Sequence, residues 1–161
     1  MPSYKDISSF SSWSKEDKDL FTVAVIKGLI MDTVRNANSG HTGGPMSSTD
    51  FTYILFSKYL NFDPDDDKWF NRDRFILSAG HESALLYALL TFIGWLNIDD
   101  LQNFRQLHST TPGHPEVENK GVEATTGPLG QGVAMGIGMA VAESKLRNIF
   151  SDDSDADQKP I

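Results

Sequence analysis

Apolar residues recur at helical spacing soon after the start of the chain. Leu20, Val23, Ile26 and Ile30 share a stripe, with Leu29 and Val34 on neighbouring positions. The pattern predicts a helix over 15–36. Ser14 opens it, with Asp17 three residues on as in a capping box that has Asp in place of Glu, and the breaker run Asn38-Ser39-Gly40 closes it. A second helix is predicted over 50–60, capped from the Ser47–Asp50 run, with Phe51, Ile54, Leu55 and Tyr59 turned inward. Phe75-Ile76-Leu77 reads as a short buried strand ending at Ser78-Ala79-Gly80-His81. A third helix fits 83–92, closed by Gly94, and Asp99 is placed to cap a short helix through Phe104. After a Thr-, Pro- and Gly-rich loop over 107–127, a last helix is predicted over 129–150. Pro128 stands at its start, where a missing N–H is harmless. Gly132, Gly136 and Gly138 in that helix each cost about 1 kcal/mol against Ala, and close helix packing is the expected reason for them.

Helices that flank one strand define the opening of an α/β layer, helix-rich and lacking most of the parallel sheet such a layer needs. The expected organisation is a loose Ser-rich lead-in over 1–14, one partial domain over 15–150 and an Asp-rich tail over 151–161. No internal repeat is visible. The chain reads as incomplete from this element count alone.

Composition narrows the function. The 161 residues carry 22 acidic and 14 basic side chains, a formal net charge of −8, which argues against nucleic acid and against an anionic membrane surface. There is no cysteine, so disulfides, thiolate metal sites and thiol nucleophiles are excluded. No secretory h-region opens the sequence and no apolar run is long enough to span a bilayer, so the expected location is cytoplasmic.

The candidate chemistry lies in loops. All four histidines stand beside Gly or Pro or in turn-rich segments at element ends: His41 in SGHTGGP, His81 in SAGHESA, His108 in QLHSTTP and His114 in TPGHPE. Each taken alone is more readily read as a surface or loop-stabilising residue. Together they point to a site, since imidazole donates, accepts or shuttles protons near neutrality. Neither HxxxH nor HExxH occurs, so no histidine metal site is expected. Thr125-Thr126-Gly127-Pro128-Leu129-Gly130-Gln131-Gly132 is a glycine-rich turn that opens a helix. It fits cofactor contact through backbone N–H groups and equally a tightly packed helix start.

These same blocks resemble transketolase. Ala37-Asn38-Ser39-Gly40-His41 with Gly43 and Pro45, Asn71–Ser78 with Gly80-His81, Phe104–Ser109, Thr111–Glu116 and Thr125–Gly132 follow the family's order and spacing from about Lys15 to Phe150. The resemblance implies the opening portion of the parallel-sheet domain that binds the diphosphate end of thiamine diphosphate. It implies cofactor contacts from His81, Gly127, Pro128 and Leu129, and a sugar-substrate channel lined by His41 and His114, with His41 assisting proton transfer. The implied reaction moves a two-carbon ketol unit between sugar phosphates, in the pentose phosphate pathway. It also implies Mg2+ whose ligands lie outside this chain, the remainder of the enzyme as partner, and a homodimer in the complete enzyme.

The sequence departs from the family's pattern at three places. Thr-Gly-Gly-Pro follows His41 where Pro-Gly-Ala-Pro is usual, and Glu82 stands where Gly usually follows the diphosphate-contacting histidine. The Gly-Asp-Gly metal motif is expected beyond residue 161, so the 161 residues alone are expected to be inactive. A non-catalytic or vestigial interaction protein that retains the start of the fold is the alternative. A formaldehyde-using or deoxyxylulose-phosphate branch of the family is a further one, and Thr111–Glu116 favours the transketolase side over the latter.

Overall fold

A computed structural model describes residues 6–150. The expected acidic tail over 151–161 and the first five residues of the lead-in lie outside them. Five helices organise the described chain: α1 (Lys15–Ala37), α2 (Gly43–Lys58), α3 (Ser83–Phe92), α4 (Ile98–Gln102) and α5 (Gln131–Phe150).

Local chemistry sets most of the boundaries. Ser14 Oγ accepts from the Asp17 N–H at 3.1 Å, which satisfies one of the orphan donors at the start of α1. At the other end Asn38 adopts the left-handed conformation at φ 48° and stops the helix. Gly94, at φ 83°, ends the turn that follows α3. Before α1, Ile7–Ser12 forms a 3-10 turn where a loose lead-in was expected, held by packing among Phe10, Trp13 and Phe21.

The core forms where α1, α2 and α3 meet. α3 is buried from Ser83 through Leu90 and receives Ile26, Ile30 and Val34 from α1. Full burial of each such aliphatic side chain contributes roughly 1.5–3 kcal/mol, so this three-helix contact dominates stability. Leu101 and Phe104 close the core beyond α4. That helix is capped by Asn97, two residues before the expected Asp99, and ends at Gln102 rather than Phe104, with the Asn97 N–H donating to Asp100 Oδ2 at 2.7 Å.

Three expectations fail. Phe75-Ile76-Leu77 is extended but pairs with no strand, and the described residues contain no β-strand. A strand requires a neighbour for its N–H and C=O groups, and here the Leu77 carbonyl instead accepts the Thr126 hydroxyl at 2.7 Å. The second helix starts at Gly43, not Asp50, and its inward face is Pro45, Thr49 and Thr52. Phe51, Ile54 and Tyr59 are exposed. The last helix starts at Gln131, because Gly130 at φ 88° cannot continue a right-handed helix back to Leu129. Close packing explains Gly132, where an added Cβ would lie 2.6 Å from Ser78 Cα. It does not explain Gly138, which faces open space. Among the described residues, no helix is long and apolar enough to cross a membrane.

Candidate functional site

Three loops meet at the starts of α2 and α3 and at the turn before α5. The first follows α1. Gly40 at φ 134° packs so closely on Val34 and Phe104 that a Cβ there would sit 3.0–3.2 Å from their side chains, and His41 follows as the chain turns into α2. The second loop, Gly80-His81-Glu82, is a 3-10 turn directly before α3. Gly80 is buried against the third loop, and a Cβ on it would come within 2.8 Å of the Thr126 carbonyl carbon and 2.9 Å of the Gly127 nitrogen. Only glycine permits that approach of two backbones.

The imidazoles follow from this arrangement. The rings of His41 and His81 meet edge to face, with centroids 4.9 Å apart. His114 lies over Gly127, its Cγ 3.6 Å from where a Cβ would be. The sequence-predicted His41, His81, His114 and Gly127 therefore fall in one loop cluster. Pro128 and Leu129 continue the turn and are exposed, with the Gln131 N–H donating to the Pro128 carbonyl at 3.2 Å. His108 belongs to the 105–111 turn, exposed and at φ 61°.

The support beneath the cluster escaped the sequence reading. Ser83 Oγ donates to the Gly113 carbonyl at 2.8 Å, and the Tyr87 hydroxyl reaches the Pro112 carbonyl at 2.9 Å. Both donors project from the buried α3 and fix the loop that carries His114. Burial raises the Tyr87 phenol far above its ordinary range, with the Glu116 charge adding to the shift, so the hydroxyl stays a proton donor. Arg105 Nη1 donates to Ser39 Oγ at 2.9 Å, tying the 105–113 loop to the turn after α1. Arg72 holds Glu123 with two hydrogen bonds at 2.9 and 3.0 Å, which anchors the extended 72–78 segment to the chain leading into Gly127. Side chains at α-helical offsets were the available signal for Ser83 and Tyr87. The others required knowledge of which loops meet.

The donor set suits an anion with several oxygens: three imidazoles and a turn whose backbone comes close to a neighbouring loop. Glu82, directly after His81, brings a like charge to the cluster. Its carboxylate packs on Gly44, in the first turn of α2. No group of three or more His, Cys, Asp or Glu side chains among the described residues could hold a metal ion.

Comparison with known proteins agrees with this geometry. The family described as transketolase, thiamine diphosphate binding domain, matches residues 18–159, and the chain belongs to that family. It is 53% identical over 138 residues to a transketolase of Staphylococcus epidermidis, which covers 85% of this chain and 21% of the relative. To a transketolase of Bacillus subtilis it is 53% identical over 135 residues, which covers 83% of this chain and 20% of that protein. Among solved structures, transketolase from Pichia stipitis in complex with sedoheptulose-7-phosphate superposes with a TM-score of 0.81 at 45% identity, over 84% of this chain and 20% of that one. The Leishmania mexicana enzyme gives 0.80 at 44%, over 83% and 20%. The chain thus spans about a fifth of the length of the relatives it matches. It is a helix-rich, partial region of the transketolase N-terminal domain.

Proposed function

We propose that this chain supplies the diphosphate-side loops of a transketolase-type transferase, which moves a two-carbon ketol unit from a ketose phosphate to an aldose phosphate. The observation that carries the reading is the convergence of the His41, His81 and Gly127 loops at the starts of helices. Its substrate class is supported by the Pichia stipitis enzymes, solved with sedoheptulose-7-phosphate, fructose-6-phosphate and xylulose-5-phosphate.

In this reading residues 15–150 form the partial domain, between the lead-in 1–14 and the acidic tail 151–161. His81 and the Gly127-Pro128-Leu129 turn hold the diphosphate of thiamine diphosphate, and Mg2+ is held by groups outside the described residues. The cofactor, when bound, supplies the carbanion chemistry that lets a carbon–carbon bond break and reform. His41 and His114 donate hydrogen bonds to hydroxyl and carbonyl oxygens of the sugar, and His41 holds or passes a proton at the oxygen that becomes an alkoxide. The protein acts in the cytoplasm within the pentose phosphate pathway, as part of a homodimer with the remainder of the enzyme, and the 161 residues alone carry no turnover.

The test is calorimetric titration of the chain with thiamine diphosphate in the presence of Mg2+. Saturable binding that falls at least tenfold on His81→Ala is expected. Absence of binding, or equal binding by the variant, sinks the assignment of the loops. Ketol transfer by the purified chain would overturn the claim that it is inactive alone.

A further inference from the structure

We infer that Glu82 and Gly44 are a coupled pair, in which the Glu82 carboxylate packed on Gly44 acts as a built-in anion that opposes diphosphate in the loop cluster. The inference rests on the reading of the cluster as a diphosphate site and adds to it a residue that sets its affinity.

The contact is specific. A Cβ on Gly44 would overlap the Glu82 carboxylate, lying 2.9 Å from Cδ and 3.1 Å from Cγ, so only a glycine leaves room for this side chain. The first turn of α2 carries no acidic residue, and its cap Thr42 makes no side-chain hydrogen bond. That end of a 16-residue helix presents N–H groups without side-chain partners and a positive dipole end, which favours a carboxylate nearby. No cation pairs with Glu82 among the described residues. Its charge is therefore met only by the end of α2, and it directly follows His81, whose ring touches His41.

Two of the three departures from the family's usual pattern, the Thr-Gly-Gly-Pro run and Glu82, thereby become one feature. Glycine at 44 opens the space, and glutamate at 82 fills it with charge. A diphosphate entering the cluster meets a like charge that short-range Coulomb repulsion makes unfavourable, and the electropositive start of α2 is already taken.

The experiment titrates the 161-residue chain and its variants with inorganic pyrophosphate at low and at physiological ionic strength. Glu82→Gln keeps the shape and removes the charge, and it is expected to bind on the order of tenfold tighter at low salt, with the gain shrinking as salt screens the repulsion. Gly44→Ala, which forces the carboxylate out of its seat, is expected to tighten binding as well. The same change made on Glu82→Gly is expected to add nothing. Glu82→Gly also serves as the second charge-removing variant if Glu82→Gln folds poorly, with the thermal midpoint recorded for each protein. If wild type and both charge-removing variants bind equally while His81→Ala weakens each, the built-in anion is refuted and the diphosphate reading survives. If no protein binds pyrophosphate, or His81→Ala changes nothing, both fall together.

Discussion

Tyr87 is buried on α3 with its hydroxyl bonded to the Pro112 carbonyl, and it shows how a core residue serves a loop. Replacing it with Phe leaves that carbonyl without its donor, which is expected to cost about 1 kcal/mol in urea denaturation. The phenol also gives a pH dependence whose sign is fixed. Its folded-state pKa is raised above the ordinary 10.0 by burial and, less, by Glu116, and Tyr53 is raised by burial and its bond to Asp19. A group with a raised pKa contributes stability that is whole below pH 10 and declines as pH climbs from there towards the folded value. Thermal midpoints should therefore fall above pH 10, and less steeply in Tyr87→Phe; parallel profiles for the two proteins would contradict the assignment. At this scale the sequence was legible where the chemistry was local. Ser14 and Asp17 meet within one turn, and Gly94 is a stop on its own. Glu82 stood out only against the Gly usual in the resembled family, and its direction depends on Gly44, 38 positions earlier in the chain, where no spacing rule reaches.

The bounds of α1 and α3 were legible in the sequence, the start of α2 was missed by seven residues, and the faces around each helix were read least well. Periodicity finds a stripe, yet which stripe meets the core is decided by the neighbour. α2 turns Thr49 and Thr52 inward, each hydroxyl satisfied by the carbonyl four residues back, and leaves Phe51 and Tyr59 about 70% exposed. The run Phe75–Leu77 is apolar enough for a strand or a buried connection, and only the absence of a paired neighbour decides between them. The glycines of α5 separate by the same logic and can be tested as a pair. Gly138→Ala meets nothing within 4 Å and should stabilise by up to about 1 kcal/mol through helix propensity alone. Gly132→Ala drives a Cβ into the Ser78 backbone and should destabilise by about 1–3 kcal/mol. Denaturation midpoints that moved in the same direction for both would show that the contact at Ser78 is not a constraint.

For the molecule as a whole, α5 is the outlying element. Gly132 is its one buried residue, and Val133, Ile137 and Val141, four apart in sequence, are each about three-fifths exposed. Ile137, Ala140, Val141 and Ile149 form an open, mostly apolar face of α5 away from the loop histidines. Apolar surface of this kind drives association. Sedimentation should find the chain larger than a monomer at tens of micromolar, with the monomer restored by Val133→Glu, Ile137→Glu and Val141→Glu together; a monomeric wild type would refute this. The seating of α5 also has a mechanical side. Val133 N–H bonds Ser78 Oγ where Gly132 touches the same residue, three positions before His81, so the helix is pinned at one end to the segment that carries the imidazole. A rod of 20 residues is about 30 Å long, and a tilt of about 5° at such a pivot sweeps its far end through roughly 2.6 Å. A rotation of that size in the His81 turn, carried through the Ser78 seat, would displace Ile149 and Phe150 by more than the turn itself moves.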